Sequence, residues 1–293
     1  MERSIQMNKD FAVFILTHGR PNNVITYKTL RKSGYTGEIY IVIDNLDKTA
    51  DDYRKKYGNN VLVFDKQKIA AMVDNGDNFN DLRTTTHARN AIFDLAKRLN
   101  YKYFLALDDD YSMFMFRINQ HMNYPSGHYL TRKTLDLVFE STVKFLKASK
   151  AASVCFTQGG DWFAGKDNQM ASGYKLKRKA MNSFFCSTEN RFWFISRMNE
   201  DVNTYLTLGA TGVLFLTTPI FSLDQESTQS NEGGMTETYL DNGTYIKSFT
   251  SVMYCPSFVK ISSMGRSSRR IHHNVSWKNA VPVILGESVK KQN

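Results

Sequence analysis

Cysteine is scarce in this sequence. Only Cys155, Cys186 and Cys255 occur among 293 residues, in separate segments and in no CxxC spacing. That excludes a disulfide-stapled scaffold, offers no zinc ribbon, and leaves buried free thiols as the expectation. Proline is nearly as rare, five in all, so no Pro-rich linker divides the chain, and no segment repeats at a fixed period. Long apolar runs are missing too. The opening MERSIQMNKD lacks the apolar stretch of a signal peptide, and no later run approaches the roughly 18 residues that span a bilayer. A reducing cytoplasm, with no membrane partner, is the expected location.

Hydrophobic residues make up 42% of the chain and aromatic ones 13%, enough apolar surface to offset the conformational entropy of a globular fold. The length suits one large domain, expected over residues 1–293. A formal charge of +10 favours encounter with polyanions through long-range attraction and counterion release. The charge is unevenly placed. Lys175, Lys177, Arg178 and Lys179 form one basic cluster and Arg266, Arg269 and Arg270 another, whereas Asp44, Asp47, Asp51 and Asp52 make an earlier stretch acidic. The second half is therefore the expected polyanion-facing half.

Residues 11–17, FAVFILT, read as a buried strand ending at His18-Gly19-Arg20-Pro21. Pro21 suits the first turn of a following helix, Val24, Tyr27 and Leu30 repeat at helical spacing, and Gly34 suits its left-handed stop. A strand at 39–43 closing on Asp44, a short helix ending near Gly58 and a strand at 61–64 complete a β-α-β-α-β series, the pattern of a mostly parallel sheet with helices on both faces. Ala88, Ala91, Ile92, Leu95, Ala96 and Leu99 stripe a helix over 86–99. The strand 103–107 then runs straight into Asp108-Asp109-Asp110. A helix at 131–148 and a strand at 153–156 follow, after which 159–190 reads as a long loop or excursion.

Three carboxylates at a strand end repel one another unless solvent, protonation or a cation relieves them. Alternation along an extended chain lets Asp108 and Asp110 point one way and Asp109 another, towards a ribose. A hard ion such as Mg²⁺ or Mn²⁺ takes one or two carboxylates plus phosphate oxygens; a solvated acidic turn is the alternative. In an open α/β sheet ligands gather at the carboxyl ends of the strands, where Thr17 to Pro21, Asp44 and Asp108 to Asp110 all fall. His87-Ala88-Arg89-Asn90 opens the long helix, where backbone N–H groups and Arg89 suit a diphosphate or its nucleoside, or form an ordinary capping turn.

The ordered set Thr17-His18-Gly19-Arg20-Pro21, Asp44, Ala88-Arg89-Asn90 and Leu107-Asp108-Asp109-Asp110 resembles the nucleotide-sugar contacts of GT-A glycosyltransferases. Within that fold, residues 11–283 look like the TET-associated glycosyltransferases, the group that holds the base J glucosyltransferase and phage enzymes decorating hydroxymethylated pyrimidines in DNA. The resemblance implies an α/β GT-A fold, with 10–115 as the nucleotide-sugar half and 116–293 as the acceptor half. It also implies a UDP-sugar donor and a phage origin. Thr17, His18, Gly19, Arg20, Asp44, Arg89, Asn90 and Asp109 would bind the nucleotide, and Asp108 and Asp110 the metal. Asn199-Glu200-Asp201-Val202 is similar to the family's Glu-Asp element, which makes Asp201 the base opposite the leaving diphosphate, with inversion; a helix N-terminus with favourable acidic residues is the alternative. Ile271-His272-His273-Asn274 resembles the C-terminal histidine that completes a metal shell, with the choice between His272 and His273 open.

For the acceptor, Asp161, Trp162, Phe163, Tyr174, Phe184, Phe185 and Trp193 interleave with Lys175, Lys177, Arg178 and Lys179, and Arg269 joins from the C-terminal side. Stacking rings among cations suit DNA carrying a hydroxymethylated base, hydroxymethylcytosine or hydroxymethyluracil, although part of this aromatic content belongs in a core. Other readings of the same residues are transfer to a glycan, protein or small molecule, a non-catalytic DNA-binding protein, and nucleotidyl transfer.

Overall fold

The computed structural model describes residues 9–117, 129–130, 133–158, 180–181, 183–225, 245–264, 270–280, 282 and 284–290. Alternation along the first strand, β1 (Phe11–Leu16), decides the architecture. Phe11, Val13 and Ile15 enter one core cluster and Ala12, Phe14 and Leu16 another, so this unbroken apolar strand is covered on both faces, as parallel strands are. Beside it lie β2 (Ile39–Asp44), β3 (Val61–Phe64) and β4 (Tyr103–Asp108), all parallel.

The remaining strands are β5 (Tyr111–Phe116), β6 (Tyr129–Leu130), β7 (Ser153–Gln158), β8 (Ser183–Ser187) and β9 (Phe215–Gln225), giving a nine-stranded sheet ordered β3-β2-β1-β4-β8-β7-β9-β5-β6. Only β8 and β5 run against the others. Helices α1 (Ile25–Lys32), α2 (Ala50–Tyr57) and α5 (Leu135–Ser149) cover one face. The other is covered by α3 (Lys66–Ala70), α4 (Thr86–Arg98) and α6 (Glu200–Ala210). A separate hairpin of β10 (Val259–Met264) and β11 (Arg270–Val275) packs with α6, α7 (Ile246–Tyr254) and α8 (Trp277–Ala280) around Val202, Leu206 and Val259.

The β-α-β-α-β series and the 86–99 helix stand where the sequence puts them. Three expectations change. Pro21 lies in a turn closed by Asn23 N–H to Arg20 O at 2.9 Å, so α1 starts only at Ile25. The 131–148 helix starts at Leu135, and the excursion 159–190 contains β8, a strand hydrogen-bonded between β4 and β7. Gly34 does follow α1 at φ 88°, and a Cβ there would sit 2.3 Å from Lys133 Cα, so this crossing admits only glycine. Cys155, Cys186 and Cys255 are buried free thiols. Among the described residues no helix is long and apolar enough to cross a membrane.

Phe139 on α5 centres the first core. Its ring lies 5.3 to 6.3 Å from those of Phe11, Tyr35, Phe114, Phe156 and Phe185. Phe139→Ala should cost about 3–5 kcal/mol through lost burial and the cavity left behind. Lys144→Ala, on the exposed side of the same helix and paired among the described residues with Glu140, should cost under about 0.5 kcal/mol. Urea unfolding of the two variants checks the contrast.

Candidate active site

Three parallel strands deliver their carboxyl ends to one place. Leu16 is in register with Asp108, which puts Thr17 beside Asp109, and its hydroxyl donates to Asp109 Oδ2 at 2.5 Å. Tyr53 of α2, fully buried, shares a hydrogen bond with Thr17 Oγ1 (2.9 Å) and accepts one from Arg20 N–H (2.8 Å). Gly19, at φ 71°, turns its N–H onto Asp47 Oδ2 at 2.8 Å. Arg20 then reaches Asp109 Oδ1 at 3.1 Å.

At the end of β2, Asp44 accepts from His18 Nδ1 (2.9 Å), Lys66 Nζ (3.0 Å) and the Leu46 N–H (3.0 Å). Burial alone pushes this carboxyl up, but the hydrogen bonds and charges of His18 and Lys66 outweigh it and bring the pKa down to about 2. The bond to Asp44 in turn raises the His18 imidazole, against the opposing effect of burial. Asp44 is buried while the His18 side chain is 47% exposed, so the imidazole is the part of this pair open to solvent.

The acidic turn between β4 and β5 is latched from α1. Thr26 donates its hydroxyl to Asp108 O (2.7 Å) and its N–H to Asp109 O (3.0 Å), and accepts from Tyr111 N–H (2.8 Å). The three aspartates have different fates. Asp108 accepts from Arg89 Nη2 at 3.0 and 3.3 Å, Asp109 is held by Thr17 and Arg20, and Asp110 Oδ1 is buried with no partner among the described residues. Burial, followed by the charges of Asp108 and Asp109, pushes the Asp110 carboxyl up to about 7. A buried carboxylate oxygen with no partner among the described residues, beside two further carboxylates, suits a cation. No three His, Cys, Asp or Glu converge into a cage among the described residues. Mg²⁺ and Mn²⁺ need none, because substrate phosphates and water complete their shell.

Arg89 connects this turn to the start of α6. It is 1% exposed, its Nε donates to Glu200 Oε1 at 3.1 Å, and its guanidinium lies over the rings of Phe184 and Phe194 at 5.0 and 5.9 Å. Burial opposes its charge, but Asp108 and Glu200 outweigh that and raise its pKa. Thr85 donates to the same Glu200 oxygen at 2.7 Å. Asp201 is close enough that its charge raises the carboxyls of both Asp108 and Glu200, which burial raises first. Asp201 Oδ1 accepts the Val202 N–H at 2.8 Å. Asn199 sends its amide to His273 Nδ1 (3.3 Å), Lys247 O (2.9 Å) and Ser251 Oγ (3.1 Å), so β11 and α7 pack behind the same element.

Thr17, His18, Gly19, Arg20, Asp44 and Asp109 thus gather at the ends of β1, β2 and β4, with Asp108, Asp110 and Asp201 alongside. The structure places Arg89 and Asn90 beneath this cleft. Asn90 is fully buried, donating to Phe194 O at 2.8 Å and accepting from Phe194 N–H at 2.9 Å. His273 is buried on the Asn199 side, and His272 stacks on it at 4.3 Å. Phe184 and Phe185 belong to the core, and Trp193 lies under Arg191 at 4.1 Å. Trp162, Lys175, Lys177, Arg178, Lys179 and Arg269 lie outside the described residues. Sequence reasoning missed Thr26, Tyr53, Lys66 and the Arg89 to Glu200 bond. Each is unremarkable locally, and only the long-range pairing gives it a role.

The sequence finds no match among curated proteins. Among solved structures the chain is similar, at low identity, to the following. S. aureus TarS is 10% identical over 83% of this chain, with a TM-score of 0.42, and this chain spans 42% of that one. Glucosyl-3-phosphoglycerate synthase from Mycobacterium tuberculosis, in complex with Mg²⁺ and uridine diphosphate, is 9% identical over 90% of this chain and 87% of its own, with a TM-score of 0.46. The family described as TET-Associated Glycosyltransferase matches residues 11–234, which takes in every sequence-predicted site residue except Arg269, His272 and His273. With about three quarters of its length so matched, the chain belongs to the TET-associated glycosyltransferase family.

Proposed function

We propose that the protein transfers a sugar from a UDP-sugar to the hydroxyl of a hydroxymethylated pyrimidine in DNA, with inversion at the anomeric carbon. The observation that carries this reading is the meeting, in a chain of this family, of the Asp108 to Asp110 turn with Asp201 through Arg89 and Glu200. His18, Arg20 and Asp44 bind the nucleoside and Asp109 orients the ribose. Asp110 and Asp108 hold Mn²⁺ or Mg²⁺, with His272 or His273 completing the shell. When bound, the metal neutralises the charge developing on the departing diphosphate.

Asp201 spends Oδ1 on the Val202 N–H and is 9% exposed, which leaves Oδ2 to accept the proton as the acceptor oxygen attacks. The basic and aromatic residues Trp162, Lys175, Lys177, Arg178, Lys179 and Arg269 supply phosphate contacts and a stacking surface for the DNA. The cytoplasm of a cell whose DNA carries such bases, as when a phage supplies them, is the setting.

The protein incubated with hydroxymethylcytosine or hydroxymethyluracil DNA and a panel of labelled donors should incorporate label, detected as a modified nucleoside by mass spectrometry. Asp201→Asn should lower kcat by about 10²–10⁴-fold while leaving UDP affinity unchanged in calorimetry. No incorporation with any donor removes the DNA reading.

The His18 to Asp44 pair gives a pH signature. A raised imidazole stabilises the fold fully below 6.5 and loses that contribution as pH rises through the folded value; a lowered carboxylate contributes above 3.8 and fails as pH falls towards about 2. The melting temperature of His18→Gln should therefore fall furthest below that of the parent between pH 3.8 and 6.5. The gap should close at higher pH.

A further inference from the structure

Two residues with side chains occupy the left-handed region just before Glu200 and Asp201: Ser196 at φ 73° and Asn199 at φ 53°. Such backbone persists only where its surroundings over-determine it, and it collects at functional sites. Here the surroundings come from the loop at 74–86. Ser196 and Arg197 donate their N–H groups to Asp74 O (2.7 Å) and Asn75 O (2.8 Å). Thr86 and Thr84 donate their hydroxyls back to Ser196 O (2.6 Å) and Arg197 O (2.8 Å). His87, fully buried and at 2.8 Å from Asn75 Oδ1, fixes the loop to α4.

The Arg197 side chain closes this clamp. It is 1% exposed, with Nε 2.9 Å from Asp77 Oδ2 and Nη1 2.9 Å from Asp81 Oδ2. Among the described residues its ion pairs are with the loop, and its buried Nη2 has no hydrogen-bond partner there. A planar fork meets two carboxylates at once, which a lysine ammonium on a flexible stem does not reproduce. Asp81 also holds Arg83 at 3.0 Å, so the buried guanidinium belongs to a charged network, a costly way to hold an ordinary surface turn, and the turn it holds leads directly into α6.

We propose that Arg197, gripped by Asp77 and Asp81, is a positioning residue that fixes the turn at 196–199 so that Asp201 stands at the acceptor side of the cleft. The inference rests on Asp201 being the base. Arg197 touches neither donor nor acceptor, so its removal is felt in kcat and not in nucleotide binding.

The test uses the full chain, with kinetics on hydroxymethylated DNA, calorimetry with UDP, and hydrogen exchange. Arg197→Met should lower kcat by about 100-fold, with UDP affinity and donor KM unchanged, and Arg197→Lys should fall between it and the parent. The amides of Ser196 and Arg197 should lose exchange protection in Arg197→Met, a readout independent of turnover. In an Asp201→Asn background, Arg197→Met should cause no further loss, because the two act as one unit. Should Arg197→Met fail to fold, Asp77→Asn, which leaves the Asp81 pair in place, carries the same comparison. Retained kcat, or a loss that adds fully to that of Asp201→Asn, overturns the proposal while the base assignment stands. Wild-type turnover in Asp201→Asn overturns both, and so marks a failure of the base itself.

Discussion

Arg89 lies almost wholly buried between two carboxylates that come from opposite ends of the site, Asp108 at the close of β4 and Glu200 at the opening of α6. Everything else in the cleft is arranged around that bridge. A guanidinium this deep costs several kcal/mol in lost hydration, and the attraction of two anions with good geometry offsets it. Taking the cation away would leave both carboxylates uncompensated, a loss of about 3–5 kcal/mol. The bridge therefore acts on two levels. It ties the parallel half of the sheet to the helix that carries Asp201, and it fixes the spacing between the acidic turn after β4 and Asp201.

The charges around the bridge do not balance. Arg20 answers Asp109, and Arg89 answers Asp108 and Glu200 together, but Asp201 adds a further negative charge and Asp110 Oδ1 has no partner among the described residues. Folding tolerates this because burial raises the carboxyls of Asp108, Asp109, Asp110 and Glu200 towards protonation. A site left with surplus acidic groups at the ends of β1, β2 and β4 is complementary to a cation. The Lys66, Asp44 and His18 group shows the contrasting solution, in which the protein supplies its own cation and the carboxylate stays ionised.

Much of this was legible in the residues themselves. Parallel strands buried on both faces leave unbroken apolar runs, so 11–16, 39–44 and 103–108 announce both strand and direction, and the aspartates at their ends locate the cleft. The antiparallel half gives weaker signals. β9 contains Pro219, which argues against a strand, yet its register with β7 jumps between Thr218 and Ser222, and the proline sits in that irregularity. β8 is five residues long and carries no turn signal of its own. Arg89 and Asn90 were recognisable as special because they open a helix beneath the strand ends. Whether they face a ligand or the core depends on Glu200 and Phe194, more than a hundred residues further on.

The proposed transfer depends on a cation at the end of β4. Crystals grown with UDP and manganese, measured at the manganese absorption edge, test it directly. An anomalous peak within bonding distance of Asp110, with diphosphate oxygens on its other side, is the predicted result. Bound UDP with no peak there, and the Asp110 carboxylate turned to solvent, would contradict it.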